Sequence, residues 1–307
     1  MATPHAPGSA VLALLFNALA WGISWWPFRW LDARGLHPLW ATAASYLLAA
    51  ACITLWRPAS WAQLRRAPAL WLLMLASGTT NAAFNWGVTI GDVVRVVLLF
   101  YTMPLWAVLL ARLLLGERLT VLAALRVLLA LAGAAIVLWP DGGGWPLPRS
   151  GAELLGLLGG FAFALNNVLL RRQAHQPEMA RALAMFVGGA LVAATLAAAI
   201  SAAGLIAPPP RPAPPWLAGV GLLGLLFLTS NLALQYGAAR LPANVTAVVM
   251  VSEVLFASVS ALWLGAGQLS APLLAGGALI VGAALLVLPR RVPAAAAGSR
   301  VAAKTAD

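Results

Sequence analysis

The chain is poor in the residues that soluble surfaces and most catalytic chemistry require. Of its 307 residues only 9% are charged, and just 8 are Asp or Glu. A soluble domain carries about 25% charged residues, so no water-facing shell can be made from this composition. The single cysteine, Cys52, excludes an internal disulfide. His5, His37 and His175 fall in a terminal stretch and in loops, without the spacing of metal ligands. No phosphate loop of the G-x-x-x-x-G-K type occurs, which excludes ATP-driven transport within this chain. The net charge is +11, yet basic residues stand singly or in pairs between apolar runs, so nucleic acid is excluded as a partner. Residues 1–10 lack the basic region and cleavage site of a signal peptide, and the first apolar run is expected to be retained.

What the chain has instead is apolar length. It is 62% hydrophobic, with 14 tryptophans, and segments of about 18 to 24 apolar residues can cross a bilayer as helices. Ten are expected, at 10–30, 38–56, 69–90, 93–115, 120–139, 152–171, 181–205, 216–237, 241–264 and 271–289. The implied class is an all-α polytopic membrane protein with the lipid bilayer as its solvent. Trp56-Arg57-Pro58, Pro140-Asp141-Gly142 and the proline-rich run from Pro208 to Pro215 separate spans. The expected units are a first half over 1–140, a linker over 141–151, a second half over 152–292, and a disordered cytoplasmic tail over 293–307.

The halves repeat one another. Thr79-Thr80-Asn81-Ala82-Ala83-Phe84-Asn85-Trp86-Gly87 returns, 150 residues on, as Thr229-Ser230-Asn231-Leu232-Ala233-Leu234-Gln235-Tyr236-Gly237. At an offset of 142, Trp21 and Ser24 meet Phe163 and Asn166. Five spans per half is an odd number, so the repeats enter the membrane from opposite sides, an inverted-topology arrangement common in secondary transporters. Placing both termini in the cytoplasm puts fourteen of the nineteen Lys and Arg residues on that side, in accord with the positive-inside rule.

Pro104-Leu105-Trp106-Ala107, ending in Leu113-Leu114-Leu115-Gly116-Glu117-Arg118-Leu119-Thr120, resembles the close of the fourth helix in the ten-helix EamA branch of the drug/metabolite transporter superfamily. Trp21-Gly22-Ile23-Ser24-Trp25 and Leu241-Pro242-Ala243 resemble two further motifs of that family. The chain departs from it at Ser45, where an arginine is expected, at Glu253-Val254, where Glu-Pro is expected, and at Ala266-Gly267, where Gly-Glu is expected. The resemblance implies ten helices, termini in the cytoplasm of a bacterial-type inner membrane, and export of metabolites, with aromatic amino acid exporters as the nearest likeness.

Candidate binding residues follow from the cost of polarity in hydrocarbon. Glu253 is the one acid near the centre of a span. Two readings stay open for it: a substrate- or proton-binding group, or a neutral carboxyl bonded within the bundle. Thr80, Asn81, Asn85 and Trp86, with their mates Ser230, Asn231, Gln235 and Tyr236, place amides at i and i+4 on one helical face. They are read either as the lining of a polar cavity for an ammonium and a carboxylate, or as interhelical amide contacts. Trp21, Ser24, Tyr101, Phe163 and Asn166 complete the candidates, with Trp21 and Phe163 as a stacking pair for a flat substrate.

An intramembrane enzyme would need a convergent nucleophile, base or metal site at depth, and Glu253 stands nearly alone. A channel would show a pore ring built by oligomerisation. The expected function is export of amino acids, aromatic and other large apolar ones, by alternating access. Other small metabolites or drugs are the alternative. No cofactor is expected, and a monomer is the expected unit.

Overall fold

In lipid a backbone can satisfy its polar groups only within helices or closed barrels, and this chain takes the first course. The structure, a computed structural model, describes residues 7–116, 121–139, 145, 147–173, 175–238, 249–250 and 252–285. The motif residues Glu117 to Thr120 and Leu241 to Ala243, linker residues 141–144 and 146, and the tail lie outside them. The helices are α1 (Pro7–Ile23), α2 (Trp25–Asp32), α3 (Pro38–Trp56), α4 (Ala59–Arg66), α5 (Ala69–Ile90), α6 (Val93–Phe100), α7 (Met103–Leu115), α8 (Val121–Leu138), α9 (Gly151–Arg172), α10 (Glu178–Ala202), α11 (Pro214–Ala238), α12 (Ser252–Trp263) and α13 (Ala271–Leu285).

Among the described residues six stretches are long and apolar enough to cross a membrane, including Gly8–Asp32, Val93–Leu115 and Glu178–Ala202. Helix α5 has the length, 22 residues, but its Ser, Thr and Asn side chains make it more polar. The described parts of α8, α12 and α13 are shorter.

Two expected spans are not single helices. The stretch 10–30 divides into α1 and α2 at Ser24, and 93–115 divides into α6 and α7 at Tyr101 and Thr102. The helix before each break ends four residues before a proline. Pro27 has no N–H to give the carbonyl of Ile23, and Pro104 has none for that of Phe100, so α1 and α6 stop at those residues. Hydroxyls bond back to the preceding turn at both breaks: Ser24 Oγ donates to Trp21 O at 2.8 Å, and Thr102 Oγ1 to Leu99 O at 2.7 Å. The segment after Trp56, read from sequence as a connection, also holds a helix, α4. Its Ser60 and Leu64 are buried while Arg65 and Arg66 are exposed, the two-sided pattern of a helix lying at an interface.

The helix contacts relate the halves. α1 packs on α11 and α12, while α9 packs on α5, α6 and α7. α3 meets α11, and α10 meets α5; α3 also pairs with α10, and α8 with α13. Exchanging every span for the one five places along the chain returns the same set, the pattern a two-fold relation between two five-span halves produces. Closest approach occurs at glycines. A Cβ on Gly188 of α10 would lie 2.1 Å from the carbonyl oxygen of Met74 on α5, and one on Gly78 would lie 2.3 Å from that of Gly188. Gly133 and Gly276 bring α8 and α13 together in the same way.

Candidate functional site

Where the two halves meet, the helices enclose a cavity of about 390 Å³. Its walls are mostly rings. Trp21 of α1 stacks on Phe227 of α11 with centroids 4.7 Å apart and meets the edge of Phe84 of α5 at 6.2 Å. Phe84 packs on Phe100 at 4.8 Å, and Phe100 on Phe163 of α9 at 5.2 Å. Trp21 and Phe163 both line the cavity, but two phenylalanines join them, so they are members of one continuous aromatic wall rather than facing jaws.

Polar groups interrupt this wall at few places. Glu253 is buried, and its Oε2 accepts a hydrogen bond from the Tyr101 hydroxyl at 3.0 Å. The same hydroxyl lies 3.2 Å from the carbonyl of Met250, and its one hydrogen can serve only one of these acceptors. Glu253 is held there because α1 passes close by: a Cβ on Gly22 would lie 3.0 Å from the Glu253 carbonyl oxygen. Trp25 Nε1 donates to Ser260 Oγ at 3.0 Å and ties α2 to α12 one turn further on.

Elsewhere in the lining Asn81 is oriented by two neighbours. Its Nδ2 donates to Ser77 O at 2.7 Å, and its Oδ1 accepts the hydroxyl of Tyr46. Asn17 of α1 donates through Nδ2 to Ser230, to the carbonyl at 2.9 Å and to Oγ at 2.6 Å. Asn166, Asn167, Thr80 and Asn231 also line the cavity.

Trp21, Thr80, Asn81, Tyr101, Phe163, Asn166, Asn231 and Glu253 thus share one cavity. Ser24, Asn85, Trp86, Ser230 and Tyr236 are not in its lining. Asn85 follows Asn81 by four residues, about 40° further round the helix, and that rotation turns it toward α3, where Nδ2 donates to Thr42 Oγ1 at 3.1 Å. Trp86 packs edge-on against His37 at 5.3 Å. Burial lowers the pKa of that imidazole, with the charge of Asp32 opposing. Ser24 closes the break in the first span, Ser230 sits behind Asn17, and the Tyr236 hydroxyl lies 3.2 Å from Ser9 Oγ. The side chain of Gln235 lies outside the described ones.

Asn17, Tyr46, Ser77, Phe186 and Phe227 line the cavity without having been singled out. Asn17 precedes Trp21 by four residues, a spacing that could have shown it; the others carry no polar or repeat signature that separates them from packing residues.

At one end of the bundle polar contacts tie α2, α5, α6 and α9 together. Arg29 donates to the carbonyls of Val88 and Gly91, Arg95 pairs with Glu153 at 2.6 Å, and Asp92 accepts from the backbone of Arg95 at 2.8 Å. Toward the other end the lining reaches Asn167, five residues before the end of α9, and Leu234, four before the end of α11.

Residues 8–139 match the EamA-like transporter family. No curated protein matches the chain. Among solved structures, a crystal structure described only as that of a protein aligns at 21% identity with a TM-score of 0.56. That alignment covers 91% of this chain and 96% of the other, so the shared fold extends through both halves. The chain is a multi-pass membrane protein, and its residues 8–139 are similar to a transporter family.

Proposed function

We propose that this EamA-like protein is a secondary transporter that exports amino acids, the aromatic and other large apolar ones above all, by alternating access around the cavity between its halves. The observation that carries the reading is the composition of the cavity wall. A run of rings from Phe227 through Trp21 and Phe84 to Phe163 offers an apolar side chain a surface to stack on. Glu253 offers an ammonium group a carboxylate, and Asn81, Asn166 and Asn231 offer a carboxylate amide donors. A sugar or nucleotide would leave its hydroxyls or phosphates against carbon. Alternating access is supported by the two-fold pattern of contacts between the halves, the arrangement in which inverted repeats rock against one another around a fixed site.

The test is a panel. Proteoliposomes loaded with unlabelled amino acid should take up labelled phenylalanine, tryptophan and tyrosine, with leucine slower and glycine slower still. Exchange of sugars or nucleotides with no exchange of any amino acid would refute the assignment.

Orientation in a bacterial-type inner membrane, with both termini cytoplasmic, is part of the same proposal. It is supported by the excess of Lys and Arg on the side of the termini. A reporter that fluoresces only in the cytoplasm, fused after residue 307, should be bright. A periplasmic enzyme reporter active at the same junction would reverse the assignment.

A further inference from the structure

Beside the central cavity lies a smaller chamber of about 170 Å³, between α3, α10 and α11. Its outer part is lined by Cys52, Trp56, Met179 and Leu232. Its inner wall includes Phe186 and Asn231, both of which also line the central cavity. The chamber therefore runs from the bundle surface, where Trp56 is 62% exposed and Leu232 37%, to a buried ring that borders the main cavity. The surrounding surface is hydrocarbon-like, with Leu47 and Leu55 of α3 and Leu225 of α11 all exposed. Asn231 is the one amide in this lining, so a hydrated ion or a sugar would lose its water there with little in return. An aromatic ring or an aliphatic chain would not.

We propose that this chamber is a lateral portal, through which the apolar part of the transported solute passes from the surrounding bilayer leaflet into the central cavity, with Phe186 as the partition. The proposal rests on the transporter reading above. The partition is built asymmetrically. Tyr46, 5.4 Å from Phe186, is anchored by its hydrogen bond to Asn81 and lies against Gly189. Phe186 has only packing to hold it, and a rotation of its ring joins the two spaces.

Cys52 is the chain's one cysteine, so the wild-type protein can be modified inside the portal alone. In proteoliposomes exchanging labelled phenylalanine, N-benzylmaleimide should react with Cys52 and slow exchange at least about fivefold, as expected when a gated access step is obstructed. Cys52→Ala treated identically should keep its rate. A sulfonated, membrane-impermeant maleimide should react far more slowly, and excess phenylalanine should slow the benzyl reagent. Labelling without loss of exchange, no labelling by the apolar reagent, or equal labelling by the charged one would each overturn the portal. If the wild-type protein exchanges no amino acid at all, the transport reading fails instead, and the contrast between the two reagents still reports whether the chamber opens to the bilayer.

Discussion

Glu253→Gln should lower amino acid exchange by at least about tenfold, equivalent to about 1.4 kcal/mol, and flatten its dependence on pH while the protein still folds. The carboxyl is buried and stands in the wall of the cavity, bonded to Tyr101. An ionisable side chain at that depth is costly to keep, and such groups mark solute and proton pathways. The amide has the same shape and can still accept from Tyr101, so the bundle loses neither volume nor its hydrogen bond. What it loses is the charge that an ammonium group would meet and the site a proton would occupy. A variant with wild-type rate and pH profile at equal abundance would leave Glu253 a structural role only.

Gly188→Val should be the most damaging single change to the fold. A Cβ at that position would lie 2.1 Å from the Met74 carbonyl oxygen and 2.6 Å from its carbon. Both are backbone atoms of a neighbouring helix, which no side-chain rotation can move aside. Overpacking commonly costs about 1 to 3 kcal/mol, and a backbone collision belongs at or above about 3 kcal/mol. Gly221 provides the control: it is also within a helix, α11, but a Cβ there meets nothing within 4 Å. Gly188→Val should therefore aggregate in detergent or melt well below the wild type, and Gly221→Val should do neither. Equal melting of the two variants would mean that the α5–α10 crossing is not as close as described.

The class of fold was legible because hydrocarbon allows so few structures. Apolar length alone located the spans, and the repeated polar register from Thr79 to Gly87 revealed the duplication. The breaks at Ser24 and Tyr101 were less visible. Pro27 and Pro104 were present to be read, but each sits within a run apolar enough to pass for one span. For the site, periodicity placed Asn81 and Asn85 on one face, yet an offset of about 40° was enough to give one to the cavity and the other to Thr42. Likewise, equivalence under the repeat pairs Trp21 with Phe163 but says nothing of Phe84 and Phe100, which lie between them. Polarity in the membrane is a strong signal in sequence. The aromatic lining is not, because a ring that faces a cavity and a ring that faces another helix are the same letter.

The central claim is that the space between the two halves is where the solute binds, and it is tested by filling that space. Ala107 on α7 lines the cavity, and Ala107→Trp would place an indole within it. Counterflow of labelled phenylalanine should be compared in proteoliposomes holding equal amounts of folded wild-type and variant protein. The account predicts exchange by the wild type and a loss of at least about tenfold in the variant. Undiminished exchange in a correctly folded Ala107→Trp protein would contradict it.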